Sequence, residues 1–213
     1  MPSTQFLNLP EEKQQRIVCA SLGEFAAHGY DMASTNRIVQ RAGISKGVLF
    51  KYFVDKEALF LYVCGVCTQS YIETIPRETA DDLFEFIRRT TMHKMRFMRE
   101  RPLTYRLLVR VAKEPRHPVY AKVMNSQIEL LHQFVDDLKA ALPSPEKLRP
   151  GLTWQNVLDF TTWIGLGLQE KFISTIPDVV DESFEESYQP MIDELNVFLD
   201  ILKYGIYKEA RQP

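Results

Sequence analysis

Between Ser34 and Lys56 the chain sets five cations, Arg37, Arg41, Lys46, Lys51 and Lys56, against one acid, Asp55, a net +4. The whole 213-residue chain carries −2. Positive charge gathered into one short stretch of an acidic chain makes a single polyanion-binding face rather than general stickiness. The apolar residues of the stretch say how that face is built. Ile38 and Val39 lie before Gly43, and Ile44, Leu49 and Phe53 lie after it, so two short helices joined by a tight glycine turn are expected. The second is short enough to enter a DNA major groove. Ser34 and Ser45 are good N-caps for the two helices, and Asp55 for the one that follows.

Other reactive residue types do not group so well. Cys64 and Cys67 form C-G-V-C, but inside a helical pattern after L-F-L-Y-V, whereas a redox pair of this spacing opens a helix after a strand. Two thiols alone do not fill a tetrahedral zinc site, so structural thiols are the better reading. His28, His93, His117 and His132 show no metal-ligand spacing, and no metal or cofactor is expected. The chain has no glycine-rich phosphate loop, no H-E-x-x-H and no nucleophile elbow, which argues against an enzyme. Hydrophobic residues at 45% and charged residues at 25% are ordinary for a globular protein. There is no apolar run long enough to span a membrane and no signal-peptide pattern, and three cysteines make no disulfide framework. A cytoplasmic protein is expected.

Helices must position the basic stretch, because strand signals are nearly absent. A first helix is expected from about Pro10 to His28, with Ile17, Ala20, Leu22, Phe25 and Ala26 facing inward and Gly29 as its stop. The helix capped by Asp55 continues to about Ile75. Longer helices are expected near 80–100, 103–114, 118–141, 153–175 and 183–208, with breaks at Pro102, Pro115 to Pro118, 143–151 and Ile176-Pro177. Pro190 should kink the last helix or mark its true start. The fold class is all-α, with a three-helix helix-turn-helix unit over 1–55 and a larger helical unit over 56–213.

The run F-A-A-H-G-Y-D-M-A-S-T-N-R-I-V-Q-R-A-G-I-S-K-G-V-L-F-K-Y-F-V-D-K-E-A-L, Phe25 to Leu59, resembles the N-terminal domain of tetracycline-repressor (TetR) family transcription regulators. The resemblance covers about residues 10–60; the rest is similar only in helix number and length. It implies a homodimer that binds palindromic double-stranded operator DNA, a C-terminal small-molecule effector site, and a repressor released by that effector. Carried over by position, it puts Ser34 and Thr35 at phosphate and Asn36 near a base edge. Ser45, Lys46, Gly47 and Val48 open the recognition helix, where Lys46 has donors for a guanine edge and Val48 suits a thymine methyl. Lys51, Tyr52 and Lys56 match the family's phosphate clamps. Val48, Phe50 and Lys51 depart from the family's usual threonine or small residue, tyrosine, and histidine or aromatic, which alters the operator expected and not the binding of DNA.

In the C-terminal half, Phe84, Ile87, Thr91, Met95 and Met98 share one helix face, as do Phe160, Trp163, Ile164, Leu168 and Phe172. Such stripes are ordinarily plain core, but the resemblance implies that these helices surround an effector cavity, which makes Phe84, Thr91, Met95, Tyr105, Phe160 and Trp163 its candidate lining, suited to an apolar or aromatic molecule. Gly165 and Gly167 cost helix stability, which a close helix–helix approach would explain. Because the resemblance implies a dimer through a four-helix bundle of the last two long helices of each subunit, W-I-G-L-G-L and the stripe from Met191 to Tyr204 are the candidate interface. The alternatives are a DNA-binding architectural factor without an effector and a helical enzyme that shares the fold.

Overall fold

The computed structural model describes residues 1–75, 83–126, 129, 148–177 and 184–204. Regular structure among them is entirely helical. The helices are α1 (Thr4–Leu7), α2 (Glu11–Met32), α3 (Thr35–Ala42), α4 (Lys46–Tyr52), α5 (Lys56–Thr74), α6 (Leu83–Glu100), α7 (Pro102–Lys113), α8 (118–126), α9 (Trp154–Phe172) and α10 (Phe184–Tyr204). The expected continuation of α8 to 141, most of the 143–151 break and the end of α10 beyond Tyr204 lie outside the described residues. Pro102 is the first residue of α7, where its missing N–H would have had no helical partner. Pro190 neither stops nor starts α10, which begins at Phe184 and remains helical through it.

The three expected caps form. Ser34 accepts from Arg37 N, Ser45 from Val48 N and Asp55 from Ala58 N, and Gly43 takes the left-handed conformation (φ 66°) that ends α3. Helix α1 is an addition to the sequence reading. Phe6 is fully buried, its ring 4.8 Å from Phe53 and 5.3 Å from Tyr62, and Ser3 N donates to the Tyr52 carbonyl at 2.8 Å. A four-residue helix thus props the end of α4.

Two cores hold these helices. The first joins Phe6, Ile17, Phe25, Ile38, Leu49, Phe53 and Phe60 to Leu107, Val111, Tyr120 and Val123. The second joins Met95, Phe97 and Met98 to Tyr105, Val109, Ile176 and Phe184. Helix α7 belongs to both. Leu107 and Val111 are one turn apart on one face, Tyr105 and Val109 on the opposite face. Helix α5 also touches both, through Val63 and Cys67 in the first core and through Tyr71, whose ring is 5.3 Å from that of Phe97. Packing therefore does not part at residue 55.

Gly29 does not stop α2 in the manner expected. The chain breaks helical geometry there (φ 68°, ψ −178°) and then makes one more helical turn to Met32. That backbone region is essentially reserved for glycine. The site is also tight, since a Cβ on Gly29 would stand 3.1 Å from the Tyr120 hydroxyl and 3.2 Å from Arg110 Cδ. Gly65, inside α5, has open space around it. Gly29→Ala should lower stability by about 1–3 kcal/mol, and Gly65→Ala should raise it by up to about 1 kcal/mol. Thermal or urea unfolding of the two variants measures both.

Candidate nucleic-acid interface

The basic stretch is organised by a buried carboxylate that the sequence reading did not single out. Glu24 on α2 has no exposed surface. Its Oε1 accepts from Ser34 N at 2.8 Å and from Arg37 Nε at 2.8 Å, and its Oε2 lies 3.6 Å from Arg41 Nη1. Arg37 also donates to the Met32 carbonyl at 3.1 Å. One acid thus fastens the N-terminus of α3 to α2 and sets the angle at which α3 and α4 leave the bundle. Burial alone would raise the Glu24 pKa. The hydrogen bonds from Arg37 and Ser34, with the charges of Arg37 and His28, outweigh it and hold the carboxyl below its ordinary range.

This arrangement divides the five cations. Arg37 and Arg41 serve Glu24. Lys56 is turned inward, its Nζ donating to the carbonyls of Tyr30 (2.9 Å), Asp31 (3.1 Å) and Ala33 (3.5 Å) and lying 4.5 Å from the Tyr30 ring centroid. All three ammonium protons have acceptors, so Lys56 ties α5 to the end of α2 in place of the phosphate clamp expected. Tyr52 also departs from expectation. It is buried, with its ring edge-on to Phe6 at 5.8 Å. Lys46 and Lys51 are exposed, and neither has a hydrogen bond or ion pair among the described residues.

The remaining candidates lie together around the α3–α4 turn. Asn36, Ser45 and Gly47 are exposed, while Ser34, Thr35 and Val48 are partly exposed. Nothing lies within 4 Å of where a Cβ on Gly47 would stand, so the backbone is open to close approach. Beneath them Ile38, Leu49 and Phe53 are buried as expected. The surface offers hydroxyls, an amide and two unpaired ammonium groups on one short convex element, the donor set that phosphates and base edges accept from.

The candidate effector residues do not converge on one cavity. Met95 and Tyr105 are buried in the second core, where the Tyr105 hydroxyl donates to the Pro177 carbonyl at 2.6 Å. Phe84 and Thr91 lie partly exposed on α6, with Thr91 bonded to its own helix at the Ile87 carbonyl. Phe160 and Trp163 stand 49% and 66% exposed on the outer face of α9. Helical periodicity puts residues on a common face but does not say whether a neighbouring helix covers it, which is why those two misled. Leu166 on α9 and Val197, Ile201 and Tyr204 on α10 are exposed as well, and Gly165 and Gly167 have open space around them. Cys64 and Cys67 are buried in the first core. Burial pushes both thiols up, Cys67 to about 11 although Thr104 bonds its sulfur, so neither presents a reactive thiolate at neutral pH. Among the described residues no three His, Cys, Asp or Glu side chains gather to hold a metal, and no helix is long and apolar enough to cross a membrane.

Residues 17–63 match the family described as bacterial regulatory proteins, tetR family. The HTH-type transcriptional repressor Rv1474c of Mycobacterium tuberculosis is 39% identical over 66 residues, 31% of this chain and 35% of the relative. The match thus spans about a third of the length of such curated relatives. The crystal structure of a TetR family transcriptional regulator from Chloroflexus aurantiacus is similar over 98% of this chain and all of that one, at 27% identity and TM-score 0.52. FadR from Bacillus subtilis, solved in complex with stearoyl-CoA, shares the fold over 91% of this chain and 99% of its own, at 14% identity and TM-score 0.61.

Glu24 ties the stability of this arrangement to pH. Because its folded-state carboxyl titrates below the ordinary value of 4.5, its contribution to stability is complete above that value and fades as pH falls through the lowered one. Glu24→Gln should be less stable than the parent at neutral pH, with the gap closing in acid. Urea unfolding midpoints from neutral pH down to about pH 3 test this, and a gap that stays constant across the range contradicts it.

Proposed function

Given that the chain belongs to the TetR family of bacterial regulatory proteins, we propose that it is a ligand-responsive transcriptional repressor. In this reading it binds palindromic operator DNA as a homodimer through the surface around the α3–α4 turn. Residues 1–55 act as the reading unit, and residues 56–213 carry the dimer contact and the effector site. The observation that carries the proposal is the pair of unpaired cations, Lys46 and Lys51, beside the exposed Ser45, Gly47 and Asn36 on an element fastened from behind by Glu24. Lys46 is assigned a base edge, Lys51 a phosphate, and Ser34 and Thr35 a phosphate at the N-terminus of α3.

The second copy is assigned to the outer faces of α9 and α10. Trp163, Phe160 and Leu166 continue into Val197, Ile201 and Tyr204, and the bare glycine backbone at 165 and 167 admits a close helix–helix approach. Phe160 and Trp163 thereby move from the effector site to the dimer contact. The effector is assigned to Phe84, Thr91 and Met95 along α6 and Tyr105 of α7, of which Met95 and Tyr105 lie in the second core. Its apolar character suits a lipophilic molecule, the class to which the stearoyl-CoA bound by the structural relative FadR belongs. Helices α5 and α7, each touching both cores, carry the effect of that molecule to the reading unit. Release follows only if the effector binds the DNA-incompetent arrangement more tightly.

Light scattering of the full chain should give twice its 24.8 kDa, and Trp163→Asp should bring it to a single chain mass. With a duplex selected from a random pool, Lys46→Ala should cost about 1–3 kcal/mol and relax sequence preference. Lys51→Ala should weaken all duplexes alike and lower the salt slope by about one, while Lys56→Ala should lower thermal stability and leave that slope unchanged. Equal losses on selected and random duplexes for Lys46→Ala would overturn its role, and binding by Trp163→Asp as a dimer would overturn the assigned interface.

A further inference from the structure

Where α2, α7 and α8 meet, the chain leaves cationic and hydroxyl donors without acceptors. Arg106 and Arg110 lie one turn apart on α7, with Cβ atoms about 5–6 Å apart by helix geometry. The Nε of each is buried and makes no hydrogen bond. Among the described residues, no hydrogen bond or ion pair reaches either guanidinium. Arginine is seldom left so, because a buried donor without an acceptor is costly and a carboxylate usually supplies one. A third donor stands beside them. Tyr120 is nearly fully buried, and its oxygen accepts from Tyr30 N at 2.9 Å, but its own proton has no acceptor among the described residues. Gly29 brings the groups together: the point a Cβ would occupy lies 3.3 Å from Arg110 Nη1 and 3.1 Å from the Tyr120 hydroxyl.

The surrounding acids do not neutralise the cluster. Asp31 is engaged by His117 Nε2 at 3.3 Å, and Glu114 is exposed and bonded to neither arginine. Lys113, the next cation on the same stripe of α7, donates to the Ile176 carbonyl at 2.6 Å. The Arg110 fork and the Tyr120 hydroxyl meet beside Gly29, with Arg106 one turn away on the same stripe of α7. Such donors match the acceptors of an oxyanion, which accepts several charge-assisted hydrogen bonds at once.

We infer that Arg106, Arg110 and Tyr120 form a binding site for a small oxyanion-bearing ligand, a phosphate or a carboxylate, where α2, α7 and α8 meet at the edge of the first core. The site lies apart from the apolar second core assigned to the lipophilic effector. It is tested without DNA, so its failure and the failure of the regulatory reading are separate results. A ligand there contacts the kink of α2 and the first turns of α8 through one helix, α7.

The test is calorimetric titration and thermal unfolding of the full chain with inorganic phosphate and, separately, malonate, against sodium chloride at equal ionic strength. Saturable binding of about one probe per chain is expected, with a matching rise in unfolding temperature. Arg106→Gln and Arg110→Gln should each weaken it at least about tenfold, and Tyr120→Phe about threefold. Arg106 and Arg110 are separate single substitutions, so loss of fold in one leaves the other to decide. Phosphate binding alone would assign a phosphoryl ligand, and malonate binding alone a carboxylate. No saturable binding of either probe, or equal binding by parent and folded arginine variants, would overturn the site.

Discussion

Helix α7 is buried on two opposite faces, and the arrangement of everything else follows from that constraint. Its Leu107 and Val111 complete the core beneath the α3–α4 unit, and its Tyr105 and Val109 complete the core between α6 and α10. A helix in this position cannot shift for one core without repacking the other, because close-packed interiors do not deform continuously. Tyr105 is pinned at its hydroxyl by the Pro177 carbonyl, and Thr104 on the other side reaches Cys67 of α5. The second core is therefore mechanically joined to the first. This is the physical content of the claim that a ligand in one region is felt in the other.

Around α7 the end of α2 works as a hub. Gly29 brings the backbone of Tyr30 to Tyr120 of α8, Lys56 of α5 gathers the carbonyls of Tyr30, Asp31 and Ala33, and Glu24 one turn earlier holds Ser34 and Arg37 of α3. Three helices thus take their positions from the last turns of α2. The aromatic contacts Phe25–Phe60 at 4.9 Å and Phe60–Tyr120 at 5.6 Å fill the space between them. The reading surface is consequently rigid from behind and open in front, the condition under which a few exposed donors can be specific.

Local features of this fold were legible in the sequence and long-range ones were not. Ser34, Ser45, Asp55 and Gly43 act on backbone atoms within five residues, so residue type and spacing alone revealed their roles. Glu24 and Lys56 bond partners 10 to 26 residues away, and in a linear pattern each looks like an ordinary charge on a solvated face. The resemblance puts Lys56 at phosphate, whereas its three protons are directed at carbonyls inside the protein. Phe6 was missed because a single aromatic in a short polar stretch has no periodicity, although Ser3, which accepts from Phe6 N, was a visible cap. The exposure of Phe160 and Trp163 belongs to the same class of error. An apolar stripe shows that a helix face is to be covered, and only the packing of α9 against α10 shows that the described residues leave this one exposed.

The central claim is that the face around the α3–α4 turn is where this chain meets DNA. Hydrogen–deuterium exchange of the full chain, with and without a duplex selected from a random pool, tests it most directly. The account predicts added protection at 34–36 and 45–51, with the outer faces of α9 and α10 unchanged between the two states. Protection centred on another surface, or none at the α3–α4 turn when the duplex is saturating, would contradict it.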